Sequence, residues 1–285
     1  MKGIHKMKTL FLHQNWKMKQ IGTEEWIPAT VPGSVYCDLL NAGKMEDPFW
    51  KDNEDAALKL MDFDYEYRTS FSCDEEYLNA DDVILHFDGL DTVADVTLNG
   101  TLLGHVENMH RTWEFSVKEL LKKEDNELVI PFYSPTKYIA AAYEKAPTRG
   151  TEDAMNGFVH IRKAHCMFGW DWGAHLPDAG IWRPVSLQAI NIAKIDSVLV
   201  SQYHEDGKVR LVFETELDYT ECAAEDNELT LEYSITDPDG VKTVYEDQPI
   251  ILIDNPKLWW PNGYGEQNLY GAQNLMTYYC ANGTA

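Results

Sequence analysis

Short alternating strands separated by turn residues are the feature that most constrains the fold of this chain. Tyr65–Phe71 and Val83–Phe87 alternate apolar and polar residues with a period of two, the pattern of a half-buried strand. Ala94–Leu98 and Thr101–Val106 flank Asn99-Gly100, a dipeptide typical of two-residue hairpin turns. Because almost no helical periodicity separates these segments, the first part of the chain is predicted to be an all-β sandwich of the jelly-roll type.

A second group of alternating segments follows residue 190 and predicts another β-sandwich. The alternation is carried by Ile195–Val200, Lys208–Thr215 and Leu229–Ile235. Asp237-Pro238-Asp239-Gly240 has the composition of a tight turn. Two sandwiches also suit the length, since 285 residues favour two domains of ordinary size.

The strand rhythm stops between Tyr133 and Ile181, where only a helix-like piece at residues 137–145 has a regular pattern. A loop this long inside a compact domain is normally either disordered or functional. The aromatic content of this segment argues against disorder. We therefore expect the functional residues of the first sandwich to lie here.

Phe168–Gly173 is the most informative stretch of this loop. It places the indoles of Trp170 and Trp172 on either side of the carboxylate of Asp171. Indole faces act as stacking platforms and a carboxylate accepts hydrogen bonds from hydroxyl groups, a combination suited to sugar binding. The alternative is that both indoles are buried core residues and that Asp171 belongs to a turn or a helix cap.

The charge and cysteine content narrow the partners and the compartment. A formal net charge of -23 disfavours nucleic acids and anionic membrane surfaces, so a neutral substrate fits best. Five scattered cysteines without a Cys-x-x-Cys pair argue against a disulfide framework and favour a reducing compartment. No apolar run near the start is long enough for a signal peptide. The chain is predicted to be soluble and cytoplasmic.

His160, His165, Cys166 and His175 raise the question of a metal site within the same loop. Their spacing matches neither a helical His-x-x-x-His face nor a zinc knuckle. We therefore expect ordinary loop side chains and no metal.

Eight short motifs, in one order over roughly residues 8–270, resemble the N-terminal half of a β-mannosidase of glycoside hydrolase family 2. They are Val31–Val35, Asp47–Phe49 with Asp52–Glu54, Phe87–Thr92, Leu98–Gly100, Asn108–Arg111, Arg162–Ala164, Phe168–Gly173 and Gly180–Trp182. The Gly-Trp-Asp-Trp-Gly piece favours the mannosidase branch over related galactosidases and glucuronidases. The resemblance implies a galactose-binding-like jelly roll at residues 8–190 and an incomplete immunoglobulin-like sandwich at residues 191–270.

The resemblance also implies roles for the loop residues toward a mannose-terminated oligosaccharide. Asp171 would hydrogen-bond sugar hydroxyls remote from the scissile bond, Trp170 would wall the pocket for the terminal mannose, and Trp172 would pack behind. Arg162 and Lys163 could pair with Asp171 or with neighbouring carboxylates, and a purely structural salt bridge is an equal alternative. Ala174-His175 departs from the family pattern, which often has proline after Gly173.

In the family, a (β/α)8 barrel supplies both catalytic glutamates, and no such barrel is recognisable in this chain. Retaining hydrolysis needs two carboxyl groups about 5 Å apart and no cofactor. The family acid lies in an Asn-Glu pair, but Asn53-Glu54, Asn126-Glu127 and Asn227-Glu228 all fall in loops or strand starts of the sandwiches. We therefore predict no catalytic residue here, and the missing barrel as a partner. The alternatives are a lectin-like carbohydrate-binding protein and a pure interaction scaffold.

The last residues, 271–285, show no alternating apolar pattern. They are predicted to be a tail outside the family. The second sandwich would then lack its final strand, leaving an open edge that invites pairing with another chain.

Overall fold

The structure is a computed structural model that describes residues 7–223 and 228–279. It divides into two compact units, one spanning residues 9–189 and the other consisting mainly of the chain from residue 190 onwards. Both units are built from β-sheets, and the helices of the described residues are short and lie in the first unit, which confirms the predicted all-β class. Within the described ranges, no helix combines the length and the apolar character needed to cross a membrane.

Two large sheets and one small hairpin make up the first unit. Its strands are β1 (Lys8–Phe11), β2 (Lys17–Gln20), β3 (Ile27–Pro28), β4 (Tyr65–Phe71), β5 (Asp82–Phe87), β6 (Val93–Leu98), β7 (Thr101–Glu107), β8 (Trp113–Ser116), β9 (Asn126–Phe132), β10 (Phe168–Trp170), β11 (Gly173–His175) and β12 (Val185–Ile190). One sheet has the order β1-β12-β5-β8 and the other the order β3-β2-β4-β9-β6-β7, while β10 and β11 pair with each other.

One apolar core holds the two large sheets together. Alternate residues of β4 and β5 enter it, including Tyr65 and Tyr67 from one sheet and Leu85 and Phe87 from the other. The ring of Tyr67 meets Phe132 of β9 edge to face, with 5.6 Å between the ring centroids. Since burial of apolar surface is the dominant favourable term in folding, the period-two pattern of these strands is what makes the sandwich.

The turn and cap residues adopt the conformations that their side chains favour. Asn99 and Gly100 both have positive φ, 51° and 82°, as a type I′ turn between β6 and β7 requires. Ser34 caps the first helix and its hydroxyl accepts a hydrogen bond from the backbone N–H of Cys37 at 3.4 Å. Gly43 follows that helix with φ 65°, the left-handed conformation that ends many helices.

Helices in the first unit are short and lie in the connections between strands. They are α1 (Val35–Asn41), α2 (Asn53–Leu60), α3 (Glu75–Leu78) and α4 (Pro135–Lys145), with 3-10 turns at Lys118–Leu120, Phe158–His160 and His165–Met167. The side chains of Phe49 and Trp50 are 77% and 63% exposed, and α2 begins three residues after Trp50.

The second unit contains two three-stranded sheets. Their strands are β13 (Ala193–Glu205), β14 (Lys208–Tyr219), β15 (Glu228–Thr236), β16 (Lys242–Glu246), β17 (Ile250–Asp254) and β18 (Gly271–Tyr279). One sheet has the order β13-β14-β17 and the other β16-β15-β18. Val209, Leu211 and Phe213 of one sheet share an apolar core with Tyr233 and Ile235 of the other.

The predicted absence of a final strand is wrong. β18 pairs antiparallel with β15 over its whole length, from Gly271 opposite Thr236 to Tyr279 opposite Glu228. Tyr278 is buried against Ile192 and Ala193, and this packing together with the ladder hydrogen bonds holds the strand in place. This edge of β15 is therefore covered, whereas the sequence predicted that the second sandwich would have an open edge where its final strand was missing. The rest of the predicted tail, residues 280–285, lies outside the described residues.

Candidate functional site: an exposed aromatic hairpin

The Trp-Asp-Trp stretch forms the tip of a two-stranded hairpin. β10 and β11 pair antiparallel, with Phe168 opposite His175 and Trp170 opposite Gly173. Asp171 and Trp172 therefore make the connecting turn. The sequence carries no strand pattern here, because strands of three residues are too short to show an alternation.

The two indoles lie side by side on the surface of the molecule. Trp170 is 41% exposed and Trp172 is 80% exposed. Their ring centroids are 5.2 Å apart and the ring planes are inclined by 49°. The alternative that both are core residues is thus wrong. Trp172 is the more exposed of the two, whereas the resemblance implied that it would pack behind Trp170.

The carboxylate of Asp171 is available for a ligand. Its side chain is exposed, and among the described residues it takes part in no hydrogen bond or ion pair. Neither of the two predicted cationic partners reaches it, because Lys163 is buried elsewhere and Arg162 is exposed without forming an ion pair to it. The hairpin tip therefore combines a free hydrogen-bond acceptor with two apolar ring faces.

Phe168 anchors the start of the hairpin in a small apolar cluster. Its side chain is fully buried and packs with Val93, Ile139 and Ile161. The backbone carbonyl of Phe168 also accepts a hydrogen bond from the N–H of Met155 at 3.0 Å. The tip is thus exposed while the strand that carries Trp170 is fixed at its base.

Lys163 closes the neck of the loop that carries the hairpin. Its Nζ donates to the backbone carbonyl of Asp178 at 2.7 Å, which joins two points 15 residues apart. The same Nζ forms an ion pair with Oδ2 of Asp91, and both side chains are almost completely buried. A buried charge without its partner is strongly unfavourable, so this pair is structural. Of the partners that the sequence left open for Lys163, the structure shows a carboxylate other than Asp171, in a structural salt bridge.

Asp178 ties the far end of the loop to the start of α1. Its Oδ1 accepts hydrogen bonds from the backbone N–H groups of Tyr36 at 3.0 Å and Ala179 at 2.8 Å. Burial raises the pKa of the Asp178 carboxyl to about 6, although these hydrogen bonds and the charge of Lys163 act in the opposite direction.

Glu54 of α2 holds the flank of the hairpin. Its Oε1 accepts a hydrogen bond from the backbone N–H of His175 and lies equally close to His175 Nδ1, with 2.7 Å for each contact. The backbone hydrogen bond, followed by the contact with the ring, lowers the pKa of Glu54. The sequence placed Glu54 in a loop and offered no signal for this contact, since 121 residues separate the two partners.

The remaining candidates from the sequence lie apart from the hairpin tip or serve structural roles. His160 Nε2 is 3.0 Å from both the Thr148 hydroxyl and the Ala146 carbonyl, and His165 packs edge to face on Phe158. Within the described ranges, no set of three His, Cys, Asp or Glu side chains is arranged to hold a metal ion.

The Asn-Glu pairs also occupy structural positions. Glu127 pairs with Arg68 on the outer face of the six-stranded sheet, at 3.0 Å. Asn126 is buried, and its Oδ1 accepts a hydrogen bond from the backbone N–H of Lys122 at 2.8 Å. Of Asn227-Glu228, the asparagine lies outside the described residues.

Comparison with known proteins identifies the class to which this sandwich with an aromatic hairpin belongs. The family model "Glycosyl hydrolase 2 galactose-binding domain-like" matches residues 16–183, and the model "Glycosyl hydrolases family 2" matches residues 193–275. The chain therefore belongs to glycosyl hydrolase family 2, with a galactose-binding-like jelly roll followed by the family's immunoglobulin-like sandwich.

Within the family, the chain is similar to the N-terminal part of β-mannosidases. It is 28% identical to the β-mannosidase of Bos taurus over 93% of this chain and 32% of that protein. It is 34% identical to β-mannosidase B of Thermothelomyces thermophilus over 91% of this chain and 31% of that protein. The crystal structure of a β-D-mannosidase from Dictyoglomus thermophilum superposes with a TM-score of 0.84 at 32% identity, covering 94% of this chain and 34% of that one. The chain thus spans about a third of the length of these relatives, and the predicted resemblance is confirmed.

Proposed function

We propose that this chain is the non-catalytic, N-terminal portion of an exo-acting, retaining β-mannosidase. The complete enzyme would remove terminal β-D-mannose from the non-reducing end of oligosaccharides. The missing partner is the (β/α)8 barrel that carries both catalytic carboxyl groups, so the 285-residue chain alone is expected to hydrolyse nothing. We further propose a cytoplasmic location, in keeping with the scattered cysteines.

The exposed hairpin is the observation that supports this proposal most directly. An unpaired carboxylate between two exposed indoles has little use in a sandwich core but suits recognition of a sugar. In the proposed enzyme, Asp171 hydrogen-bonds hydroxyl groups of the terminal mannose and Trp170 forms a wall of its pocket. Trp172, as the more exposed indole, supplies further apolar surface beside it.

An activity measurement tests the first half of this proposal. The purified chain is incubated with p-nitrophenyl β-D-mannoside, and mass spectrometry verifies that no longer enzyme is present. We expect no release of p-nitrophenol above the rate of the buffer control. Turnover that follows the concentration of the chain would contradict the proposal, because it would require two catalytic carboxyl groups within these sandwiches.

The second candidate function is a stand-alone, lectin-like carbohydrate-binding protein. It is favoured by one observation, namely that the hairpin already has its exposed geometry in this chain without any further domain. Indoles in solvent and a free carboxylate are sufficient for weak sugar binding.

Titration of the chain with mannose and manno-oligosaccharides, with binding monitored by NMR, distinguishes the two functions. Saturable binding that Asp171→Ala abolishes would favour the lectin. Arg162→Ala is a matched control, because Arg162 is an exposed side chain of the same loop outside the hairpin. Absence of binding by a correctly folded chain would favour a sugar pocket that is complete only with the catalytic barrel.

A further inference from the structure

His175 connects the hairpin to two other parts of the first unit. Its backbone N–H and Nδ1 both contact the Glu54 carboxylate at 2.7 Å, and its Nε2 is 3.0 Å from the backbone carbonyl of Asp153. A carboxylate and a carbonyl are acceptors, so both ring contacts are hydrogen bonds when each ring nitrogen carries a proton. The imidazole therefore bridges α2, the hairpin and the loop around residue 153.

The same imidazole packs directly on the strand that carries Trp170. Gly169 has φ 91°, and a Cβ at this position would collide with the ring of His175. The ring thus occupies the space beside the backbone just before Trp170. A contact that fixes the orientation of His175 therefore also affects the orientation of Trp170.

Glu54 is well suited to supply this orientation. It lies in the first turn of α2. Its carboxylate accepts a hydrogen bond from the backbone N–H of His175, which pairs with Phe168 at the base of the hairpin. The neck of the loop is held separately, by the buried ion pair between Lys163 and Asp91. The neck fixes where the loop leaves the sandwich, whereas Glu54 acts on the hairpin itself.

We propose that Glu54 is a positioning residue for the aromatic hairpin, acting through His175 to set the direction in which Trp170, Asp171 and Trp172 project. Its importance for sugar recognition rests on the proposed function. Its effect on the hairpin does not, and can be measured without any sugar. A negative result for Glu54 and a negative result for mannose binding are therefore separate outcomes.

Fluorine NMR of the chain labelled with 5-fluorotryptophan tests the proposal, with resonances assigned from single Trp→Phe variants. Glu54→Ala is expected to shift or broaden the Trp170 and Trp172 resonances and to leave that of Trp16 unchanged. Trp16 reports on the core, because it is 4% exposed. Glu54→Gln keeps an oxygen acceptor for the His175 N–H and should restore much of the original spectrum.

Hydrogen exchange gives a second reading on the same variants. In Glu54→Ala, the His175 amide should exchange at least tenfold faster, while peptides from β4 and β9 keep their protection. Asp55→Ala is the matched control, because Asp55 is the next residue of α2 and its side chain is exposed. An unchanged hairpin in Glu54→Ala would overturn the proposal. A change that includes Trp16 and the core peptides would also overturn it, since Glu54 would then stabilise the whole unit.

Discussion

Gly169 shows at the scale of a single residue how the backbone of the hairpin depends on its neighbours. We predict that Gly169→Ala destabilises the hairpin by roughly 1–3 kcal/mol, because φ 91° is strained for alanine and the new Cβ meets the His175 ring. Gly22→Ala isolates the backbone contribution, since Gly22 has φ 94° and a Cβ at this position would have no neighbouring atom within 4 Å. Local unfolding free energies from hydrogen exchange should show a larger loss for Gly169→Ala. Equal losses would mean that His175 makes room at no cost.

Asp178 gives a prediction about pH. Its pKa is about 6 in the folded chain and has the ordinary value of 3.8 in the unfolded chain. Between these two pH values the Asp178 carboxyl holds a proton in the folded state but not in the unfolded state. The stabilisation that this group contributes is therefore fully present below about pH 4 and is lost as the pH rises through 6. Asp178→Asn cannot titrate. The stability of this variant relative to the original chain should therefore rise between pH 4 and pH 7, by at most about 3 kcal/mol.

Urea unfolding of Asp178→Asn and of the original chain at pH 4, 5, 6 and 7 measures the difference between their free energies of unfolding. Asp52→Asn is the control, because Asp52 is exposed and makes no side-chain capping bond at the start of α2. A constant offset between Asp178→Asn and the original chain at every pH would contradict the assigned pKa.

At the scale of elements, strands with one buried face could be predicted from the sequence, and strands with an interrupted inner face could not. β4 alternates buried and partly exposed residues over most of its length, and its predicted and observed limits coincide. In β18 the inward positions include Asn274, Met276 and Tyr278, and the Asn274 side chain bonds the Thr215 hydroxyl at 2.7 Å. A polar residue on the inner face removes the apolar alternation from the sequence although the strand still pairs.

The candidate site divides in the same way. The chemistry of the tip could be predicted, because Trp170, Asp171 and Trp172 are adjacent in the sequence and their residue types suit a sugar. The residues that hold the tip could not be predicted. Asp91 lies 72 residues from its partner Lys163, and Glu54 lies 121 residues from its partner His175. Such contacts depend on how the sandwich brings distant loops together, and no local pattern records them.

The packing of β18 is testable by truncating its buried side chain. Tyr278→Ala removes a ring that is 4% exposed, and we expect a loss of about 3 kcal/mol from the second unit. Tyr264→Ala is the control, since Tyr264 is 81% exposed in the same unit and its loss should be small. Hydrogen exchange of β15 peptides measures the effect without requiring the two units to unfold together. Similar results for the two variants would mean that β18 does not stabilise the second sandwich.

At the scale of the whole molecule, the balance of 47 acidic and 24 basic side chains dominates the electrostatics. Exposed ion pairs such as Lys123–Glu75 at 2.9 Å each contribute only about 0.2–1 kcal/mol. The repulsion among the excess carboxylates acts over longer distances and disfavours the compact state. Salt reduces long-range interactions more than close pairs, because the screening length falls from about 30 Å at 0.01 M to about 8 Å at 0.15 M.

We therefore predict that sodium chloride stabilises this chain at pH 7. Raising the concentration from 0.01 M to 0.15 M should increase the melting temperature by roughly 2–4 °C, which corresponds to about 1 kcal/mol for a chain of this size. The same comparison near pH 5 is the control, since protonation of carboxylates and histidines lowers the net negative charge and should shrink the effect. A melting temperature that falls with salt at pH 7 would show that the local ion pairs outweigh the repulsion. Calorimetry at both pH values distinguishes these outcomes, because screening of the repulsion raises the melting temperature whereas screening of the ion pairs lowers it.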